Sequence, residues 1–524
     1  MSIDRISHKQ RFHKYRDDTV IQKAIKYAHW TLPQLMADLS LQLNGTQHIV
    51  ERDYQEVGAL LVNNLAPKLA AMLFPSSRPF YKIDASDSLI AAAAAAGKSK
   101  VELTSSFAQL EQKSCQRIFL NASYAQLIQL LRHLMVTGTG LLYRDSKNSK
   151  FVTYGLQSFA CRRDGQGTLL DTVVREYTSI EALAPTIQTA LRMANRSRYQ
   201  RPDDCPPVEL YTRIQRKVGE SGKVYCEVTQ QADEISVGTT GLYPEVLCPW
   251  QVVAWSLIAG ENYGRGLVED FAGGFAKLSD GSHAAALYGI ELMKVVNLVA
   301  PGLGADIDEL ANAESGEYVQ GAPGAVTAYE NGDATKLQVM RAELAATIEN
   351  LSRAFMYKGN TRDAERVTAF EIKQDALEAD NVLGGAYSTL AAALQVPLAH
   401  ICLTEVNSDM LEGIVTNTLE LSIVAGIPAL GRATDVQNLI LAAQDAIAII
   451  PSLMQTDRRI DGQKIMDMIM SGYSVDTSML YKSDEQLASE AKTAQQEQQG
   501  QNQMMDAAAA AEATDTLQSL QGPN

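Results

Sequence analysis

The sequence predicts a mainly α-helical chain with an inserted β-rich module, an α+β arrangement. Three observations carry that expectation. Leu337, Met340, Leu344, Ile348, Leu351 and Phe355 recur at spacings of three and four, one apolar face of a 3.6-period helix. Val208 to Ile214 and Lys223 to Val228 alternate apolar and polar residues on either side of the turn Gly219-Glu-Ser-Gly222, the pattern of a half-buried hairpin. Pro202-Asp-Asp-Cys-Pro-Pro207 precedes the alternating stretch as a linker and marks it off as a small module.

In chain order, Phe12 to Thr31 reads as a helix stopped at Leu32-Pro33. Tyr54 to Phe74 is a denser helical run whose wide apolar face includes Leu61, Leu65, Leu69 and Leu73, with Pro67 expected to bend it. Val101 to Leu120 and Ser123 to Val136 follow as amphipathic helices, with Asn121 or Ser123 as the cap at their junction. Gly138-Thr-Gly140 ends the second helix, and strands begin at Leu141, with a hairpin signal at Asp164-Gly-Gln-Gly167. Ser179 to Arg198 returns to helix with a basic end, and Trp250 to Ile258 is the last strand of the module. A module this small cannot build a large core and is expected to lean on its neighbours. Leu267 to Val299 reads as a long, glycine-loosened helix, and Tyr318-Val319 and Val326 to Tyr329 as short strands. After the helix at Lys336 to Phe355, the run Tyr357-Lys-Gly-Asn-Thr-Arg-Asp363 breaks the apolar period. Helix resumes at Arg366, where Thr368 and Glu371 have capping-box spacing, and continues through Leu383, Tyr387, Leu390 and Leu394 to Pro397. Shorter helices are expected from Asn417 to Met470, and the Gln/Ala/Ser/Glu-rich end has too little apolar surface to pack.

Composition limits the function classes. At 524 residues, 46% apolar and 20% charged, the chain has material for roughly three domains. Its 46 Lys+Arg against 61 Asp+Glu give a net charge of −15, which excludes a surface that grips nucleic acid throughout. Six widely spaced cysteines, with no Cys-x-x-Cys, exclude a zinc or redox motif of that spacing and point to free thiols in a reducing compartment. The first residues are too charged for a signal peptide, and the apolar run Leu439 to Met454 carries Gln444, Asp445 and Pro451, so an intracellular chain with no membrane partner is expected.

Signs of catalysis are sparse. Gly97-Lys-Ser99 ends like a phosphate-binding loop, but the leading glycine would fall at Ala92 and no apolar strand precedes it. Tyr263-Gly-Arg-Gly266 has the composition of a backbone phosphate cradle; a turn before a helix explains it better. The seven histidines form no metal-spaced pair, and no nucleophile elbow is present. No catalytic residue, metal or cofactor is assigned.

Five motifs in order are more specific. They are Val57 to Pro75, Val136-Thr-Gly-Thr-Gly-Leu-Leu-Tyr143, Glu261-Asn-Tyr-Gly-Arg-Gly266, Glu365-Arg-Val-Thr-Ala-Phe-Glu-Ile372 and Leu383-Gly-Gly-Ala-Tyr-Ser388. Together they resemble the head-to-tail connector, or portal, proteins of short-tailed (podovirus-type) double-stranded-DNA bacteriophages, over about Tyr15 to Glu485.

The resemblance implies a homo-oligomeric ring, a dodecamer in that family, at one capsid vertex of the virion, assembled in the host cytoplasm. It implies a wing at 1–177, a first stem helix at 178–204 and a β-rich clip at 205–262. A second stem helix at 263–300, a wing continuation at 301–434 and a crown with a polar tail at 435–524 complete the expected order. A channel (tunnel) loop near 357–366 would bring Lys358, Asn360, Arg362 and Arg366 to the DNA, with Thr368 and Glu371 capping the helix beyond it. The implied partners are double-stranded DNA in transit, the terminase large subunit, a tail adaptor or gatekeeper, the major capsid and scaffolding proteins, and internal core proteins. A chain of net charge −15 suits such a conduit, since like charge keeps DNA from adhering while loop cations supply one localised contact. The alternatives from other classes are a non-channel helical scaffold or internal virion protein, and a DNA-translocating NTPase supported by the Gly-Lys-Ser run alone.

Overall fold

A computed structural model of the chain describes residues 6–37, 51–76, 79–85, 95, 100–195, 198–199, 206–220, 222–300, 306–316, 318–320, 322–330, 333–357, 389–415 and 419–423. The chain divides into two compact units, Met1–Leu430 and Gly431–Asn524, and every described residue belongs to the first. The expected crown and tail lie outside the described residues.

The expected first helix is two. Helix α1 (His8–Tyr15) carries a capping box of Ser7 and Gln10, and α2 (Asp18–Trp30) starts afresh where Asp17 accepts from the Thr19 and Val20 amides. Helix α3 (Val57–Leu73) runs unbroken through Pro67 and is the centre of the core. Leu61, Leu65, Leu69 and Leu73 are fully buried along it, each contributing on the order of 1.5–3 kcal/mol of transfer free energy. Strand β1 (Tyr81–Ala85) and helices α4 (Lys100–Gln116) and α5 (Ser123–Thr137) follow. The expected cap before α5 is absent: Ala122 occupies the N-cap at φ 57°, and the Ser123 hydroxyl instead accepts from the Phe151 amide at 3.2 Å.

Helix α5 stops at Gly138, φ 80°, and the chain turns into β2 (Thr139–Asp145), β3 (Lys150–Tyr154), β4 (Phe159–Arg163) and β5 (Leu169–Thr178). A short helix α6 (Pro185–Ala194) intervenes before β6 (Val208–Val218), β7 (Val224–Ala232), β8 (Ile235–Pro244) and β9 (Trp250–Ala254). Two sheets result, β3-β2-β9 and β4-β5-β6-β7-β8. The β-rich stretch is therefore not a separate insert. Its strands β6–β8 continue the sheet begun by β4 and β5, and β9 crosses to the other sheet beside β2. The 178–204 stretch is corrected too. Its helix is limited to Pro185–Ala194, and Leu191 packs with Val208 and Ala232 against the sheet.

The long helix expected from Leu267 is broken as well. A turn α7 (Leu267–Asp270) leads into α8 (Ala272–Leu292), and the apolar run beyond it is strand β10 (Val295–Val299). A short helix α9 (Ile307–Asn312) and strand β11 (Val326–Glu330) follow, β11 pairing antiparallel with β10. Tyr318 and Val319 are not in a strand, and Tyr318 is fully exposed. Helix α10 (Ala334–Ala354) then returns along α8. Cβ atoms at Gly274 and Gly281 would meet Leu351 at 3.2 Å and Leu344 at 2.7 Å, so these glycines let the two helices approach closely. At the core end of the pair Phe275, Leu278, Leu351 and Phe355 are buried, whereas further along α8 Leu287 and Ile290, and Met293 just beyond it, are exposed. The pair is rooted in the core and leaves it.

A π-helical turn at Ala391–Gln395 leads into α11 (Val396–Val406), then α12 (Met410–Val415) and β12 (Leu419–Ile423), which pairs antiparallel with β1.

Candidate functional site

The sequence-predicted loop and cap residues Lys358, Asn360, Arg362, Arg366, Thr368 and Glu371 lie outside the described residues. What the structure defines is how the chain leaves for that segment and how it returns. Leaving α10, the Phe355 amide bonds Leu351 O at 3.0 Å and the Tyr357 amide bonds Ser352 O at 2.8 Å, closing the helix end. Between them Met356 sits at φ 51°, the left-handed residue that this closure of a helix end uses. The Met356 carbonyl is tied to α3, where Lys68 Nζ donates to it at 3.0 Å.

The return is tied to the same helix. Gln395 is fully buried, and its side-chain amide donates to Leu73 O, one of the carbonyls that the end of α3 leaves without a helical donor. Gln395 belongs to the π-helical turn, a local widening that swings a polar side chain into an otherwise apolar contact made by Leu390 and Leu394. Two residues of α3, Lys68 and Leu73, five positions apart, thus bond the described chain on both sides of the segment carrying the predicted loop. Sequence reasoning missed both anchors. The available signals were a lysine directly after the in-helix Pro67 and a lone amide between Leu394 and Val396.

A third tie fixes α11. Arg144 of β2 is fully buried and forms a bidentate pair with Glu405, Nε–Oε1 2.9 Å and Nη2–Oε2 2.8 Å. Arg117 Nη1 lies 3.5 Å from the same carboxylate, and the Arg144 guanidinium stacks over Phe151 at 4.7 Å. Burial is the largest influence and disfavours the arginine charge, but the hydrogen bonds Arg144 donates to Glu405, together with the neighbouring Glu405 and Asp145 charges, outweigh it and raise the Arg144 pKa.

The glycine motifs meet each other. A Cβ on Gly264 would lie 2.8 Å from Gly138 O, and one on Gly266 would lie 2.5 Å from Met135 O. The Gly264 amide donates to Thr139 Oγ1 at 2.8 Å, and Ser256 bridges Arg265. Tyr263-Gly-Arg-Gly266 is a packing junction between the end of α5 and the start of α7, with its Gly264 amide already engaged. Among the described residues, no group of His, Cys, Asp or Glu could hold a metal ion. No helix of the described residues is long and apolar enough to cross a membrane.

The far end of the α8–α10 pair has a character of its own. From Val295 to Asp333 the chain carries Asp306, Asp308, Glu309, Glu314, Glu317, Glu330 and Asp333 and no lysine or arginine. Val296, Leu298, Ile307 and Tyr318 are exposed among them, and so is Met293 just before.

The sequence matches the family model described as bacteriophage head to tail connecting protein over residues 7–480, and the chain belongs to that family. It is 43% identical over 486 residues to the portal protein of Pseudomonas phage phiKMV, covering 93% of each chain. It is 30% identical to the portal protein of Enterobacteria phage SP6 over 95% of this chain and 93% of that one, and 28% identical to that of Escherichia phage T7 over 91% and 88%. A solved structure of the neck of an empty GTA particle aligns over 78% of this chain and 90% of its own at 13% identity, with a TM-score of 0.36, too slight to add to the sequence relationship. The function is that of a phage portal, a structural connector between head and tail.

Proposed function

We propose that this connector works as a closed homo-oligomeric ring, a dodecamer, whose channel conducts double-stranded DNA during packaging, retention and ejection, with no catalytic activity of its own. The observation that supports it most is the double anchorage on α3. A loop that meets moving DNA must be placed reproducibly in every subunit, and Lys68 and Leu73 fix both of its roots. In this reading α8 and α10 are the stem, and Lys358, Asn360, Arg362 and Arg366 follow directly from the buried end of α10. Thr368 and Glu371 set where the rigid helix resumes.

The docking end lies at the tip formed by residues 293–333, in place of the β-rich stretch 205–262 that shares its sheet with β4 and β5. An acidic tip with exposed apolar side chains suits a partner with a basic surface around an apolar centre. The terminase large subunit and the tail adaptor are the partners proposed there. Capsid, scaffolding and internal core proteins would meet the rest of the ring.

Imaging of the purified protein tests the ring. Closed rings with a central opening are the expected result, and monomers or open filaments would return the chain to a non-channel scaffold. Lys358→Ala with Arg362→Ala tests the loop: rings should assemble normally while packaged DNA is lost or shortened. Wild-type DNA content in the double variant would remove the loop from the mechanism.

A further inference from the structure

The five-stranded sheet has two unlike faces. Cys161, Val174, Ile214, Cys226 and Val228 join the main core from one of them. On the other, Phe12 of α1 is buried over Ala160, Val173 and Tyr211, which come from β4, β5 and β6. Beyond that apolar footing the face is polar. Strand alternation puts Arg213, Gln215 and Lys217 of β6 on it, and Arg162, Asp171, Gln215 and Glu227 stand opposite one another across four strands.

This part of the face and α1 border an open cavity of ≈ 650 Å³, a volume typical of ligand sites. Its lining carries five cations, Arg11, Lys14, Arg162, Arg213 and Lys217, against two carboxylates, Asp171 and Glu227. The chain as a whole runs the other way, with 46 Lys+Arg against 61 Asp+Glu, so the cavity is a local reversal of charge. Both carboxylates are matched within the lining. Asp171 is buried and accepts from Arg213, Nη2–Oδ2 2.8 Å, and Glu227 pairs with Lys217. Two further cations gather on Tyr15. Its hydroxyl donates to Asp171 Oδ2 at 3.1 Å, Arg11 Nη1 donates to that hydroxyl at 3.4 Å, and the Arg162 guanidinium lies 5.7 Å over the ring. Lys14, the next residue along α1, is exposed. The cationic groups are thus positioned before a ligand arrives, which lowers the entropic cost of binding one.

We propose that this cavity docks an acidic, extended segment of a partner protein, whose carboxylates meet Arg11, Lys14 and Arg162. Charge complementarity selects an anion. The carboxylates of the lining then favour a polypeptide over a nucleic-acid strand. A phosphodiester backbone is charged at every nucleotide and offers only acceptors, so Asp171 and Glu227 repel it, whereas a peptide can turn its N–H groups toward them. Gln215 and Ser236 add an amide and a hydroxyl that can pair with peptide N–H and C=O. The cavity shares no residue with the tip at 293–333, and the two surfaces suit partners of opposite charge, basic at the tip and acidic here.

Fluorescein-labelled hexaglutamate titrated with the purified full-length chain and followed by fluorescence anisotropy tests the assignment. The expected result is saturable binding that weakens with added salt, with carbodiimide coupling the bound peptide to Lys14 or Lys217 as read by peptide mass spectrometry. Lys14→Gln with Arg162→Gln should weaken binding about tenfold at unchanged Tm, since both side chains are exposed. Lys277→Gln with Arg353→Gln, exposed cations of α8 and α10, should leave it unchanged. No saturable binding, equal weakening by the two double variants, or coupling confined to lysines outside the cavity would overturn the proposal. So would a single-stranded oligonucleotide of like length that displaces the peptide at lower concentration, because the cavity would then be a phosphate site. The coupling readout comes from the unmutated chain and does not depend on whether the variants fold.

Discussion

Lys68 Nζ stands 3.0 Å from the Met356 carbonyl oxygen, although the two residues are separated by most of the described fold. The bond is made to a left-handed residue at the last described turn before the segment that bears Lys358 and Arg362, and it starts from the helix that also receives the return through Gln395. The described chain on either side of residues 358–388 is therefore bonded to α3 as well as continuing from α10.

Replacing Lys68 by Met should leave ring assembly intact and reduce retained DNA, with Lys68→Arg restoring most of it because the guanidinium can still reach a carbonyl. A cysteine placed at Met356 reports the local geometry independently of DNA, through faster thiol labelling in the Lys68→Met background. Unchanged labelling would remove Lys68 from the mechanism. Faster labelling with normal DNA retention would keep the anchor and discard the DNA role of the loop.

Glu405→Ala leaves the Arg144 charge buried with Arg117 beside it. The expected loss is about 3–5 kcal/mol of unfolding free energy in denaturant titration. The paired change Arg144→Met with Glu405→Leu should recover most of it, since it removes both charges and keeps apolar volume. Equal losses in the single and paired variants would show that packing over Phe151, and not charge compensation, governs the site.

His133 is buried and its pKa is lowered from 6.5 to about 4 by burial. The unfolded chain takes up a proton at this residue before the folded chain does as pH falls. Its contribution to stability is therefore full above pH 6.5 and declines between there and about 4, by on the order of 3 kcal/mol across that window. His400, also lowered to about 4 by burial, acts in the same direction. Thermal unfolding followed against pH should show this acid-side slope, and His133→Gln should flatten part of it.

Asp308→Lys together with Glu309→Lys reverses charge at two exposed carboxylates of the tip. Rings should form as before, and affinity for the tail adaptor or terminase large subunit should fall at least tenfold, most clearly at low ionic strength. Equal charge reversal at Glu220 and Glu234, in the turns of the β6–β8 sheet, should leave that affinity unchanged. The opposite ranking would move the docking end back to the β-rich stretch.

Local pattern was readable wherever one helix or hairpin explained itself. The stripe from Leu337 to Phe355 is the less exposed side of α10, and Asp164 closes its hairpin by accepting from the Gln166 and Thr168 amides, as the composition predicts. Non-local pairing was not readable. Nothing in Pro202 to Pro207 says that the strands on either side of it are neighbours in one sheet, because register is decided by partners distant in sequence. The end of α8 failed for a different reason. Val295 to Val299 prolongs an apolar run, and a short run of that kind fits helix and strand equally by period, although its β-branched residues favoured the strand. The predicted DNA-facing residues were named from their motif alone; the anchors that would position them were hidden as single polar residues in apolar surroundings.

The pairing of β1 with β12 sets Tyr81 against Ile423 and Ala85 against Leu419. During synthesis β1 leaves the ribosome long before its partner exists, and an unpaired strand edge is a template for wrong association. The first compact unit can complete itself only after residue 423 has emerged, so β1 stays unpaired through translation of nearly the whole unit. A chain cut short before Leu419 would expose that edge and be drawn toward aggregates instead of rings.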